Sequence, residues 1–466
     1  MRLRNAALAI AGVLVLGTGA CLALGWRPAI DPIEPPRAEG FDRALILKGV
    51  ELAAIGNCNV CHTAPGGRTF AGGLALPTPF GTIYSTNITP DPDTGIGRWS
   101  EAAFRRSMQE GVDRAGNHLY PAFPYDHFTL VSDEDNRALY AYLMTRDPVR
   151  AEAPPNDLPF PLDQRPLLAG WKLLFFREGR FASDPAQGPE WNRGAYLAEG
   201  LGHCGACHTP RNAFGAERRD RHWAGGEAEG WHAYAINRDS AAPVPWTADS
   251  LLAYLRHGWH QHHGIARGPM APVTANMAAA TEADARAVAA YTAARMGPPP
   301  AERQEQAKVL LDRNGPVGSG AHPAASDSLA NLAAGDGPGA AIYASACASC
   351  HEAGRPLPFG GMDLALSTAT SGASPENLIN VVLSGLPAAE GERAPIMPGF
   401  RGVLDEEQFA ALLRHLRERF GGGRPAWVDL ETQVRTAIRG ERSVTARPTD
   451  SVQLAPADSS QRGTSW

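Results

Sequence analysis

Charge is scarce in this chain. Asp, Glu, Lys and Arg make up 20% of its 466 residues, the net charge is -6, and no long Lys/Arg block occurs. The basic stripe needed to follow a nucleic-acid backbone is missing, which excludes nucleic acid as a partner. No Gly-rich dinucleotide fingerprint follows a candidate strand, and there is neither a P-loop nor a nucleophile elbow, so substrate chemistry has no recognisable home here. Apolar runs of membrane-spanning length are absent after the N-terminus. Long uninterrupted helical patterns are also rare, because 50 glycines and 39 prolines break most candidate segments. Short helices joined by long ordered loops are expected. The 44% apolar fraction still suffices to build cores, and 466 residues at ~100–200 per domain predict two to four of them.

Seven cysteines are too few for a dense disulfide framework, and their placement points elsewhere. Six fall into three pairs, each followed at once by histidine: Cys58-Asn-Val-Cys61-His62, Cys204-Gly-Ala-Cys207-His208 and Cys347-Ala-Ser-Cys350-His351. This is the attachment pattern for c-type haem, in which two thiols add across the vinyl groups and the adjacent histidine ligates the iron. At these Cys and His frequencies chance yields roughly 0.003 such patterns per chain. Disulfides, zinc sites and thioredoxin-like pairs also use C-x-x-C, but none requires a histidine beside all three copies. Three haem c groups are therefore expected, held by Cys58, Cys61, Cys204, Cys207, Cys347 and Cys350, with His62, His208 and His351 as proximal ligands.

The remaining Cys21 lies in an apolar run from Ala6 to Trp26 that follows Arg2 and Arg4. The run is just long enough to span a ~30 Å hydrocarbon core, exceeds the usual signal-peptide core and lacks a clear cleavage site. It reads as a single uncleaved anchor over residues 1–30, with a long signal peptide as the alternative. Cys21 reads as a small apolar residue of that anchor rather than a lipidated terminus. The flanking charges place the N-terminus in the cytoplasm and the rest of the chain on the periplasmic face of a bacterial inner membrane, the side on which c-type haem is attached.

The haem motifs begin at Cys58, Cys204 and Cys347, a nearly even spacing expected of a repeated unit. Each follows a helical pattern, Leu45 to Ile55, Gly194 to Leu201 and Ala340 to Ala346, and each unit closes with an amphipathic helix, Ser132 to Leu143, Thr281 to Arg295 and Asp405 to Phe420. The fold expected is mainly α, with three consecutive cytochrome c-like domains after one membrane helix. Their bounds are 40–150, 186–300 and 336–422, separated by a proline-rich connector at 151–185 and a linker at 301–335 that is rich in Gly, Pro and Ser from Arg313 to Ala325. The connector holds an apolar cluster, Leu167 to Phe176, which reads as a helix packed between units or as an interface with a partner or the membrane. Residues 423–466 read as a polar tail.

A haem that only passes electrons keeps both axial positions filled. Met270, in Gly-Pro-Met-Ala-Pro, and Met397, in Pro-Ile-Met-Pro-Gly, are the candidate distal ligands of the second and third irons, with Met277 as fallback for the second. The first unit differs. Trp99-Ser100 precedes Phe123 at the same spacing at which Trp246-Thr247 precedes Met270, so internal alignment sets a phenylalanine, which cannot ligate iron, where methionine is expected. His127 is the preferred ligand there, Met144 and His118 are alternatives, and an open iron is a further one. His257, His260, His262 and His263 read as a solvated loop rather than a metal site.

The segments Asn87-Ile-Thr-Pro-Asp-Pro-Asp-Thr-Gly-Ile-Gly-Arg-Trp99, Asp133-Glu-Asp-Asn-Arg-Ala-Leu-Tyr-Ala-Tyr-Leu143 and Gly268-Pro-Met270, together with the haem motifs, resemble the three-haem cytochrome c subunit of bacterial membrane-bound dehydrogenases from about Trp26 to Val428. The resemblance implies an electron-transfer subunit without substrate chemistry, alongside a quinoprotein, flavin or molybdenum dehydrogenase subunit, with room for a small iron-sulfur subunit, passing electrons to ubiquinone or a terminal oxidase. Alcohol- and gluconate-type members carry methionine where this chain has Phe123. The Phe123-Pro-Tyr-Asp-His127 version, the start at Trp26-Arg-Pro-Ala-Ile and the Leu158-Pro-Phe-Pro161 connector resemble the branch paired with molybdenum hydroxylases. Two other functions compete: a haem enzyme acting at an open first iron, and a free-standing electron carrier.

Overall fold

The computed structural model describes residues 25–314, 337–351, 361–386 and 397–440. The N-terminal run up to residue 24, with Cys21, the Gly/Pro/Ser stretch 315–325 and the end of the chain from 441 lie outside these residues. Among those described, no helix is long and apolar enough to cross a membrane. The fold is mainly helical, and its strands form three two-stranded antiparallel hairpins, Ala75–Thr78 with Gly81–Tyr84, Gly226–Ala228 with Trp231–Ala233, and Trp259–His260 with Gly264–Ile265. Two compact units result. One holds the first Cys pair and includes residues 199–203; the other holds the second and third pairs.

Three helix pairs share one construction. The opening helices Arg43–Ile55, Pro189–Tyr196 and Pro338–Ala346 cross the closing helices Asp133–Met144, Glu282–Met296 and Glu406–Phe420. Each crossing needs glycine. A Cβ added to Gly49, Gly194 or Gly339 would lie 2.1, 1.9 or 2.1 Å from the carbonyl oxygen of Ala138, Ala287 or Ala411, so only a hydrogen lets the two backbones meet. The closing helices start where the sequence expects. Ser132, Thr281 and Asp405 each accept the amide three residues on, and Asp405 forms a full capping box with Gln408.

Two stretches are more ordered than the sequence alone suggests. The expected linker opens with a helix, Ala301–Asn314, because Ala307, Leu310 and Leu311 share one helical face and pack with Val244, Leu366 and Met362. The expected tail contributes Trp427 and the helix Leu430–Arg439, whose Leu430, Val434 and Ala437, at i, i+4 and i+7, enter the core built on Tyr343, Ile379, Phe409, Leu412 and Leu413. In the connector, the apolar cluster lies on the helix Leu167–Phe175.

Candidate haem sites

Each Cys-x-x-Cys-His motif occupies a single helical turn: Cys58–Cys61 followed by His62, Gly205–His208, and Ala348–His351. A turn of this kind carries both thiols and the imidazole on adjacent positions of a tight scaffold. The residue entering the first two motifs is left-handed, Asn57 at φ 54° and His203 at φ 38°, which turns the chain sharply from the opening helix into the cysteines. Burial pushes the Cys58 thiol up to about 12, with the neighbouring Cys61 adding to the effect, and burial pushes Cys347 up to about 11.

The three motif histidines share one contact that sequence reasoning missed. His62 Nδ1 donates to the Thr86 carbonyl at 2.6 Å, His208 Nδ1 to the Tyr234 carbonyl at 2.6 Å, and His351 Nδ1 to the Met362 carbonyl at 2.8 Å. A proton fixed on Nδ1 leaves the ring lone pair on Nε2, the arrangement a metal-ligating imidazole requires. Burial lowers the pKa of His62 and His208, which keeps the rings neutral. The offset from histidine to carbonyl is similar in the first two motifs and much shorter in the third, a variability that hides these carbonyls in the sequence. The donor set thus fits haem c. Trp223 Nε1 and Arg267 Nε, buried without a hydrogen-bond partner among the described residues, are donors that a haem's propionates could satisfy.

The backbone carries the internal alignment of Phe123 with Met270. Gly111 and Gly258 end the helices Glu101–Glu110 and Ala248–His257 at φ 61° and 72°. The Gly111 carbonyl then accepts from Leu119 N at 2.8 Å and the Gly258 carbonyl from Ala266 N at 2.7 Å. Four residues on in each case stand Phe123 and Met270, bonded through their amides to Tyr120 O and Arg267 O at 3.0 and 3.3 Å. Phe123 holds the register of Met270. Its ring packs edge-on against Phe128, with centroids 5.2 Å apart. Met397 pairs by a short bridge with Leu386, and Met277 is buried at the end of the helix Met270–Met277.

The alternatives near the first motif separate by their surroundings. His127 is buried in the short helix Tyr125–Phe128, with Nδ1 at 2.7 Å from the Glu199 carbonyl, the same contact type as in the motif histidines. Met144 is buried at the end of its closing helix. His118 is committed elsewhere: Nε2 donates to the Gly25 carbonyl at 2.6 Å and Nδ1 accepts from Lys172 Nζ at 3.0 Å. Of the histidine cluster, His257 is exposed at the end of the helix Ala248–His257, as a solvated position should be, but His260, His262 and His263 are half-buried. These three lie in the hairpin ending at Gly264–Ile265, and the His263 ring stacks on Trp246 with centroids 3.4 Å apart and planes at 12°. Burial lowers His263 to about 3.

Comparison with known proteins gives the family of the chain. Residues 336–416 match the family described as cytochrome C oxidase, cbb3-type, subunit III. The chain is 44% identical to a nicotinate dehydrogenase subunit of Pseudomonas putida over 91% of its own length, but it spans only 34% of that protein. It is 36% identical to the gluconate 2-dehydrogenase cytochrome c subunit of Pantoea cypripedii, over 89% of this chain and 92% of the relative. A diheme cytochrome c-type protein of Cereibacter sphaeroides is 39% identical over 52% of this chain and 83% of its own. The chain therefore belongs to the cytochrome c subunits of dehydrogenase complexes, proteins that carry covalent haem c and transfer electrons without themselves being the catalytic subunit.

Proposed function

We propose that this chain carries three haems c and relays electrons from a partner dehydrogenase of the molybdenum hydroxylase or aldehyde dehydrogenase type to ubiquinone or the respiratory chain. The observation that carries the reading is the threefold recurrence of a Cys-x-x-Cys-His turn whose histidine gives its Nδ1 proton to a backbone carbonyl. The attachment residues are Cys58 and Cys61, Cys204 and Cys207, Cys347 and Cys350, and the proximal ligands are His62, His208 and His351. A relative named as a diheme cytochrome aligns with about half of this chain, which supports one haem per repeat. Bound haem supplies a one-electron couple, and its potential depends on the second axial ligand. The protein's part is to fix the imidazoles, exclude water and present Met270 and Met397 from the loops after their helix caps. For the first iron His127 is the ligand proposed, with Met144 as the alternative.

The molybdenum branch is favoured by Phe123 in the register of Met270 and by the similarity to the nicotinate dehydrogenase subunit. A single N-terminal anchor holds the subunit on the periplasmic face of the inner membrane in this reading, and a small iron-sulfur subunit is a further partner. Gentle extraction from native membranes with a C-terminal tag tests it. Three haems per chain by pyridine haemochrome, and a co-purified dehydrogenase that reduces them when given its substrate, are expected. Two haems per chain, or a cytochrome that emerges alone, would overturn it. Phe123 also supports a second reading, a haem enzyme acting at an open first iron. Carbon monoxide binding at one haem in the isolated complex would favour that reading, and three unreactive haems would remove it.

A further inference from the structure

We propose that the connector helix Leu167–Phe175 lies on the membrane surface, with its outer face in the boundary between lipid headgroups and acyl chains; this rests on the single-anchor reading above. The helix has two unlike sides. Inward, Lys172 is buried, and its Nζ donates to the Glu110 and Gly111 carbonyls, each at 2.6 Å, and to His118 Nδ1 at 3.0 Å. The ammonium also sits 4.7 Å over the Tyr125 ring, and Trp171 meets the same ring edge-on. These contacts fix the rotation of the helix. Outward, Leu167, Leu173 and Leu174 are 55%, 75% and 73% exposed, and a Cβ on Gly170 would meet nothing within 4 Å. An apolar face of this size on one short helix is a cost in water unless something covers it.

The point where the N-terminal run ends identifies the cover. Gly25, next to the end of the apolar run, packs against this helix: a Cβ there would lie 2.8 Å from Ala169 Cβ. The Gly25 carbonyl accepts from His118, whose other nitrogen holds Lys172. The end of the run and the buried lysine of the helix are thus joined through a single imidazole. If the run crosses the bilayer, its periplasmic end sets the helix at headgroup level. Trp26, 71% exposed, is the residue type that favours this zone, and the exposed Arg27 and Arg177, one residue after Trp26 and two after the helix end in the chain, are cations that headgroup phosphates attract.

Photo-crosslinking in native membranes tests the inference. Leu173 is replaced by p-benzoylphenylalanine in the full chain within its complex, with Glu134 of the same unit, whose side chain is 76% exposed, replaced as control. A phospholipid adduct at position 173 and its loss at position 134 are expected. An adduct to another polypeptide at 173, or none to lipid, overturns the proposal. A parallel sodium carbonate wash separates the two layers of the argument. Release of the chain means the anchor reading has failed, whereas retention without a lipid adduct means the surface helix alone has failed.

Discussion

The first and second Cys-x-x-Cys-His segments share one backbone plan and differ most plainly at the residue that follows its last turn. After each motif histidine a threonine, Thr63 or Thr209, accepts through Oγ1 the amide of a residue at positive φ, Phe70 at 65° or Trp223 at 60°. Two residues beyond, Gly72 or Gly225 returns its amide to the histidine carbonyl at 2.8 Å. The amides of Ile88 and Ile236 close the loop on Phe70 and Trp223, both at 2.9 Å. The same helix caps and turn then lead to Phe123 in one segment and Met270 in the other. The scaffold that orients the imidazole is thus held by many backbone bonds, while the distal position, as proposed, rests on one side chain. Ligand chemistry, and with it potential, can change there without disturbing the fold.

The largest effects come from breaking what the segments share. Gly194→Val drives a side chain into the Ala287 carbonyl, where even a Cβ would be 1.9 Å away, and Gly49→Val does the same at Ala138. Each is expected to cost about 3 kcal/mol or more and to lose one of the three proposed haems, counted by mass and by pyridine haemochrome. A haem count equal to that of the unaltered chain in both variants would show that the crossings are not needed to hold the haems. Next in size is the exchange of the residue that differs. Met270→Phe should give the second segment an open iron that binds carbon monoxide, unless Met277 takes over. Phe123→Met combined with His127→Leu should raise the potential of one haem only, because thioether replaces imidazole. A redox titration with unchanged potentials would remove His127 as the ligand.

Much of this is legible in the sequence because covalent haem attachment uses adjacent residues. The Cys-x-x-Cys-His turns, the caps Ser132, Thr281 and Asp405, and the shared offset of Phe123 from Trp99 and Met270 from Trp246 all stand in short windows. The carbonyls of Thr86, Tyr234 and Met362 are not legible: any residue can offer one, and their distances from the histidines vary. The crossing glycines are equally anonymous among 50. The helix Leu430–Arg439 reads as part of a tail because polar flanks obscure three apolar residues on one face. His263 reads as solvated because its stacking partner, Trp246, stands well before it in the chain and leaves no local signature.

A medium effect is expected where the two segments use different supports for the same carbonyl. In the first, Ser85, next to Thr86, holds the chain locally by accepting Leu74 N through its hydroxyl at 3.0 Å and Gly73 N through its carbonyl at 2.8 Å. In the second, Asn377 grips the strand before Tyr234: its Oδ1 accepts His232 N at 2.9 Å and its Nδ2 donates to His232 O at 2.8 Å. Asn377→Leu strands both backbone groups, a loss of about 2 kcal/mol, and should shift the potential of one haem through His208. Asn377→Asp keeps the acceptor and should recover part of the shift. An unchanged potential in the leucine variant would mean that Tyr234 needs no such support.

The smallest expected effect is also the sharpest test of equivalence. Thr209→Val keeps the shape of the side chain but removes the acceptor for Trp223 N, 3.1 Å away, and leaves a buried amide at positive φ without its partner. Thr63→Val does the same to Phe70 N, at 3.3 Å. Each loss is worth about 1 kcal/mol, and because both lie on the proximal side, neither should depend on the distal ligand. Denaturant titrations followed at each haem should therefore show equal, separate shifts in the two segments, with potentials unchanged. A penalty confined to one segment would mean that the distal ligand does contribute to holding the proximal loop, and that the two sides of the haem are not independent.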